Sequence, residues 1–197
     1  ICAILPMVLF VATVWWLDRY DREPIWLVAL TFLWGAIGSI ALTILTLPFQ
    51  ELALLPVSSL GPQATNIAGS VLLAPLVEEP AKAAFLLVIL WSRHFDNVTD
   101  GFVYGAAAGL GFGMTENMLY FSSISMSGQV GPWLMTLLIR TFYSAVTHAT
   151  ATSIVGAALA LFRFRGALLL TAAGLCGLGL AMGIHAMWNG LLTLGGD

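Results

Sequence analysis

Residues 66–91 read NIAGSVLLAPLVEEPAKAAFLLVILW. Apart from Glu78, Glu79 and Lys82, this stretch carries no charge, and it is longer than the roughly 20 residues that a helix needs to cross a bilayer. A charged side chain at the bilayer centre costs between roughly 3 and 17 kcal/mol, depending on how the cost is measured. The stretch therefore predicts a membrane-spanning helix whose charged residues face other protein segments.

The composition of the whole chain agrees with a membrane environment. Of its 197 residues, 59% are hydrophobic and 9% are charged, whereas soluble domains carry roughly a quarter charged residues. The net charge of -3 is small, and no basic run indicates a nucleic-acid partner. Lipid is therefore the solvent for most of this surface.

Six apolar stretches are long enough to be spans, which predicts an all-α, polytopic transmembrane helical bundle forming one integral membrane domain over residues 1–197. The first stretch has no charged leader and no small-residue cleavage site, so we interpret it as a span rather than a signal peptide. The six predicted spans are 1–17, 25–47, 66–91, 101–122, 133–161 and 167–194.

The arginines in the connections predict the orientation of the spans. Connections 18–24, 92–100 and 162–166 contain all five loop arginines, and connections 48–65 and 123–132 contain none. Because positively charged loops remain on the cytoplasmic side, the three arginine-bearing connections are predicted to be cytoplasmic. Both ends of this sequence are then expected on the outer side.

Glycine recurs at every fourth position from Gly101 to Gly113. Such a stripe lets another helix approach closely. Asn117 extends the stripe and Glu116 lies beside it, so we expect these polar groups to face protein.

Ionisable residues lie inside four of the predicted spans, in the middle to outer half of the membrane. Since isolated charges would not persist there, we expect them to meet in one cluster. Its predicted members are Glu78, Glu79, Lys82, Glu116, Arg140, His148 and His185.

Local spacing gives the first details of this cluster. Glu78 and Lys82 are one helical turn apart, which predicts an ion pair between them. Adjacent residues cannot share a helix face, so one glutamate should face the cluster centre and the other a basic residue. Pro75 and Pro80 bracket the pair and predict a bent or locally opened helix.

The later spans show similar spacing. Arg140, Ser144 and His148 form one stripe, and His185 and Asn189 are again four residues apart. Glutamate, histidine and asparagine together are the side chains that hydrolysis requires, with a glutamate as general base.

These residues match the motifs of a known family. Residues 78–82 read E-E-x-x-K, Phe112–Asn117 read F-x-x-x-E-N, and His148 and His185 follow in order on later spans. This set resembles the PrsW family of intramembrane proteases, which belongs to one superfamily with CAAX-prenyl endopeptidases and bacteriocin-processing enzymes. The segment 18–20, Asp-Arg-Tyr, is also similar, although family members often have more than six spans.

The resemblance implies a multi-pass protease of the bacterial plasma membrane. Its substrates would be single-pass membrane proteins, notably anti-sigma factors, cut near the outer side of the bilayer. Lys82 and Arg140 would be supporting charges. The catalytic residues it implies are Glu78, Glu79, Glu116, His148 and His185, with Asn189 as a position that could hold an oxyanion.

Two mechanisms remain open at this stage. In one, Glu116, His148 and His185 bind Zn²⁺ and Glu79 or Glu78 is the base. In the other there is no metal, a glutamate activates water, and the histidines with Asn189 stabilise the oxyanion.

Two other functions compete with proteolysis. Intramembrane ionisable residues also build ion and proton pathways, so a transporter or channel is the main alternative. A pathway predicts polar residues spread along the membrane normal, whereas these share one level, and no inverted repeat is visible. A non-catalytic scaffold is the third alternative, which the intact E-E-x-x-K motif and both histidines disfavour.

Overall fold

A computed structural model describes residues 1–19, 21–126 and 128–195, and the regular secondary structure of these residues is entirely helical. Tyr20 of the 18–20 motif lies outside the described residues. The helices are α1 (Ile4–Leu17), α2 (Ile25–Leu45), α3 (Leu47–Ser58), α4 (residues 62–89), α5 (Val98–Ser125), α6 (Val130–Phe162) and α7 (Ala167–Leu194).

Helices α2, α6 and α7 are each long and apolar enough to cross a membrane, and α1 is a shorter apolar helix. This confirms the predicted all-α membrane fold. Helices α4 and α5 contain most of the buried polar residues described below, and their place as further spans stays a prediction.

The predicted connection between residues 48 and 65 is largely helical, because α3 occupies most of it. Pro48 lies in the first turn of α3, where its missing N–H is not needed. Leu52 and Leu55 of α3 are largely exposed. An exposed apolar helix of this length suits a position against lipid beside the bundle.

Helix α5 is the buried centre of the bundle and packs against α6 on one side and α2 on the other. An added Cβ on Gly105 would lie 2.5 Å from the Cα of Ser153, and one on Gly109 would clash with the carbonyl oxygen of His148. On the opposite face, one on Gly111 would clash with the carbonyl oxygen of Phe32. The glycine stripe therefore sets the close approach that places His148.

We expect Gly109→Ala to destabilise the protein, because the new methyl group meets backbone that cannot move away. Overpacking of this kind costs about 1–3 kcal/mol. Thermal unfolding in detergent measures it, with Gly183→Ala on α7 as the control, since an added Cβ there meets nothing within 4 Å. Equal melting temperatures for the two variants would show that the α5–α6 contact is looser than the structure describes.

A second buried polar group joins the 18–24 connection to the start of α5. The indole Nε1 of Trp15 donates to the backbone carbonyl of Glu23 at 2.7 Å, and the hydroxyl of Tyr104 donates to the Glu23 carboxylate. Asp100 caps α5 through the backbone N–H of Asn97 at 2.9 Å. Burial raises the pKa of the Glu23 carboxyl from 4.5 to about 8.

Glu23 makes the stability of the protein depend on pH. The folded protein holds the Glu23 proton more tightly than the unfolded chain, so its contribution to stability is lost as pH rises from the ordinary carboxyl range through about 8. We expect Glu23→Gln to melt like wild type at pH 5 and a few degrees higher at pH 9, with exposed Glu51→Gln as the control. A constant difference between Glu23→Gln and wild type across this pH range would contradict the raised pKa.

Candidate active site

Four helices, α4 to α7, bring all seven predicted ionisable side chains together. Glu79 and Lys82 are fully buried, and His148 and His185 are 2% and 1% exposed. The side chains of Glu78 and Glu116 keep 13% and 19% of their surface accessible. The two partly accessible carboxylates are therefore the groups that a substrate would reach first.

A π-helical segment in α4 sets the orientation of the two adjacent glutamates. Residues Ala68–Leu73 are π-helical and end just before Pro75, so this helix departs from α-helical geometry before the two prolines rather than between them. Each π-helical turn contains an extra residue, which rotates the residues that follow by roughly 100° relative to an uninterrupted α-helix. Pro80 lies inside the α-helical part, Ala74–Ile89.

Glu79 is the internal anchor of the cluster. Its Oε1 lies 2.6 Å from Nζ of Lys82 and 2.7 Å from Nδ1 of His185. The predicted pairing of Lys82 with Glu78 is therefore wrong, since Lys82 pairs with the glutamate three residues before it. Because a carboxylate only accepts, Nδ1 of His185 carries the proton and Nε2 of the neutral ring keeps its lone pair.

Lys82 also fixes the tautomer of His148. Its Nζ lies 3.1 Å from Nδ1 of His148, and an ammonium group can only donate, so Nδ1 accepts. Nε2 of the neutral His148 ring then carries the proton and donates to Oε2 of Glu116 at 2.8 Å. The two histidines thus have opposite tautomers.

Arg140 neutralises Glu116 and is itself held by Asn117. The guanidinium Nη2 lies 2.5 Å from Oε2 of Glu116. Nε of Arg140 donates to Oδ1 of Asn117 at 3.0 Å, and Nδ2 of Asn117 donates back to the Arg140 carbonyl at 3.4 Å. The predicted set of site residues omitted Asn117, although its place in the F-x-x-x-E-N motif was a signal for it.

Phe112 closes the inner wall of the site. Nζ of Lys82 lies 4.3 Å from the centre of the Phe112 ring, which is 5.3 Å from the ring of His148. The rings of His148 and His185 meet edge to face at 4.9 Å. The aromatic residue of the F-x-x-x-E-N motif therefore contacts both a charged and an imidazole side chain, a role that the sequence analysis missed.

Glu78 faces the two histidines with a free oxygen. Its Oε2 is buried, makes no hydrogen bond within the described part of the chain, and lies 3.7 Å from Nε2 of His185. Glu78, His148 and His185 each offer one donor atom within 4.8 Å of the others. The structure thus groups Glu78 with the histidines as a candidate metal set, where the sequence predicted Glu116.

The structure gives Asn189 a different contact from the predicted one. Its amide Nδ2 donates to the backbone carbonyl of Ser70 at 2.8 Å. Ser70 lies eight residues before Glu78 on α4. This nitrogen therefore bonds to backbone two turns away from the glutamate pair.

The order of these residues along the chain matches a known family over most of its length. A family sequence model described as "PrsW family intramembrane metalloprotease" matches residues 23–197. The chain belongs to the PrsW family. The family suggested by the motifs is thereby confirmed.

Two curated relatives, each named "Protease PrsW", agree with this assignment. The protein of Clostridioides difficile (strain 630) is 30% identical over 167 residues, which are 83% of this chain and 66% of that protein. The protein of Bacillus subtilis (strain 168) is 28% identical over 153 residues, 75% of this chain and 61% of that protein. The chain therefore spans about two thirds or less of these PrsW proteins. No solved structure matches it.

Proposed function

We propose that this chain is an intramembrane endopeptidase that hydrolyses a peptide bond of a single-pass membrane protein, of the anti-sigma-factor kind, near the outer half of the bilayer. Membership of the PrsW family supports the reaction class. The bacterial relatives and the apolar helices support a place in the bacterial cell membrane. The three arginine-bearing connections would lie on the cytoplasmic side.

One observation carries the proposal. Oε2 of Glu78 is buried without a hydrogen bond among the described residues, beside the lone pair on Nε2 of His185. An unpaired buried carboxylate oxygen is costly, so this place suits a water molecule or a cation. A water molecule beside a carboxylate suits metal-free hydrolysis, and a cation there suits metal-dependent hydrolysis.

The three candidate ligands differ in how ready they are to bind zinc. Glu78 and His185 can bind as they stand, whereas His148 must first change its protonation. Glu78 and Nε2 of His185 are ready donors, and Glu79 orients His185 from behind, as carboxylates do for zinc-bound histidines. Nε2 of His148 would offer its lone pair once Lys82 passes a proton to Nδ1 and the Nε2 proton is released, and metal binding commonly releases protons. We propose that Glu78, His148 and His185 hold Zn²⁺.

Bound zinc would polarise the scissile carbonyl and activate water. In the zinc-bound form, Glu116 and Arg140 would have separate roles. Glu116 is the accessible carboxylate left beside the site, so it would take the proton of the attacking water and return it to the leaving amine. Arg140 would hold Glu116 in place, since its Nη2 lies 2.5 Å from Oε2 of Glu116.

A metal-free form of the same reaction is favoured by the tautomer of His148. In that form Glu78 takes the proton from water, the water oxygen bonds to the carbonyl carbon, and the N–H of His148 would turn from Glu116 to stabilise the oxyanion. The amine then leaves with the proton held by Glu78. Glu79 and Lys82 position the histidines in both forms.

The test is reconstitution of the purified protein in lipid vesicles with a panel of single-pass substrates. We expect cleavage near the outer end of the substrate span and about one zinc per chain by elemental analysis. Cleavage that survives complete zinc removal would select the metal-free form. Absence of cleavage across the panel, together with ion or proton flux into the same vesicles, would replace the protease proposal with a transporter.

A further inference from the structure

The backbone of α4 lacks one hydrogen-bond donor just before the glutamate pair. The N–H of Ala74 donates to the carbonyl of Gly69, five residues back, as a π-helical segment requires. In that register the next donor, for the carbonyl of Ser70, would be residue 75. Residue 75 is a proline and has no N–H.

Helix α7 supplies the missing donor. Nδ2 of Asn189 lies 2.8 Å from the carbonyl oxygen of Ser70. A second contact joins the same helices, since the hydroxyl oxygens of Ser70 and Thr193 are 3.3 Å apart. The Thr193 hydroxyl also donates to the backbone carbonyl of Asn189 at 2.7 Å.

This contact joins the two helices that hold Glu78, Glu79 and His185, to one side of the active site. Asn189 is one turn after His185 on α7, and Ser70 is about 12 Å along α4 from Glu78 at the usual helical rise. The contact fixes the rotation of α4 relative to α7, and with it the approach of both glutamates to His185. A small misplacement of the glutamates relative to His185 would reduce the rate of catalysis strongly.

We propose that Asn189 is a positioning residue that replaces the N–H missing at Pro75, and that it acts through the geometry of Glu78 and His185 rather than on the oxyanion. Catalysis by these two residues rests on the function proposed above. The contact itself is independent of that function. The contact and the proposed function can therefore be tested separately.

The test is a double-mutant cycle between Asn189→Ala and Pro75→Ala. An alanine at position 75 restores a backbone N–H that can donate to the carbonyl of Ser70. We expect Asn189→Ala alone to lower kcat by roughly tenfold, because Glu78 and His185 lose part of their alignment, with KM unchanged. In the Pro75→Ala background the same substitution should lower kcat by about twofold or less.

Thermal unfolding of the same four proteins gives a readout without substrate. We expect Asn189→Ala to lower Tm by roughly 3 °C in the wild-type background and by clearly less with Pro75→Ala. Thr193→Val is the matched control, because it removes both contacts of the Thr193 hydroxyl and leaves the bond from Nδ2 of Asn189 to Ser70 in place. Equal losses of Tm from Asn189→Ala in both backgrounds would overturn the proposal, whether or not the protein cleaves any substrate.

An oxyanion role makes a different prediction for the same cycle. If Asn189 stabilised the oxyanion, Pro75→Ala could not compensate for its loss, and kcat would fall equally in both backgrounds. That result would also overturn the proposal. Loss of activity in wild type itself would count against the proposed function alone, since the melting cycle still measures the contact.

Discussion

Glu78→Gln is expected to reduce kcat/KM for substrate cleavage by about a thousandfold, within the range that loss of a catalytic acid–base group produces. Glutamine preserves the size of the side chain but removes the charge that binds a cation or accepts a proton. Since Oε2 of Glu78 has no hydrogen bond within the described residues, the folded state should lose little. Cleavage in vesicles and thermal unfolding measure the two effects.

The controls separate Glu78 from the other carboxylates. Glu51→Gln, on the exposed surface of α3, should leave cleavage unchanged. Glu79→Gln should lower stability as well as activity, because Lys82 and His185 lose their shared acceptor. If Glu79→Gln abolished cleavage at wild-type stability while Glu78→Gln remained active, Glu79 rather than Glu78 would be the catalytic carboxylate.

The convergence of the ionisable residues could be predicted because burial in lipid leaves charges few alternatives. Glu116, His148 and His185 each lie in a separate helix, and any of them alone facing lipid would be costly. The glycine stripe gave the second constraint, since close packing of α5 on α6 places His148 beside α5. Both arguments depend on periodicity and desolvation, which a sequence displays directly.

The pairing of Lys82 could not be predicted in the same way. An ideal α-helix favours Glu78, four residues away, but the π-helical segment before Pro75 changes the rotation of α4. The prolines in the sequence indicated an irregular helix. They did not show how far the irregularity would rotate the residues that follow it. That rotation decides which glutamate faces Lys82 and which faces the outer part of the site.

Long-range contacts explain the remaining differences between the sequence predictions and the structure. Glu23 occupies a connection and its burial depends on Trp15 and Tyr104, from two other helices. Asn189 has the spacing of a catalytic partner for His185, and only the missing N–H of Pro75 reveals another use. Neither contact leaves a periodic signal in the sequence.

Lys82→Met is expected to destabilise the protein by about 3–5 kcal/mol, the effect of removing one partner from a buried ion pair. Glu79 is fully buried, and its Oε1 would keep only the contact with His185. Thermal unfolding measures the loss. Arg93→Met, in the exposed part of the 92–100 connection, is the matched control and should change stability by less than about 0.5 kcal/mol.

Adding Glu79→Gln to Lys82→Met should recover most of this stability, because the charge that lost its partner is then removed as well. The amide oxygen of the new side chain can still accept from Nδ1 of His185. In the metal-free form activity should stay low, however, because nothing then holds Nδ1 of His148 as an acceptor and the ring can lose the Nε2 proton that this form uses. A double variant that regains both stability and cleavage would show that Lys82 only balances charge, whereas one that regains stability alone supports its role in fixing His148.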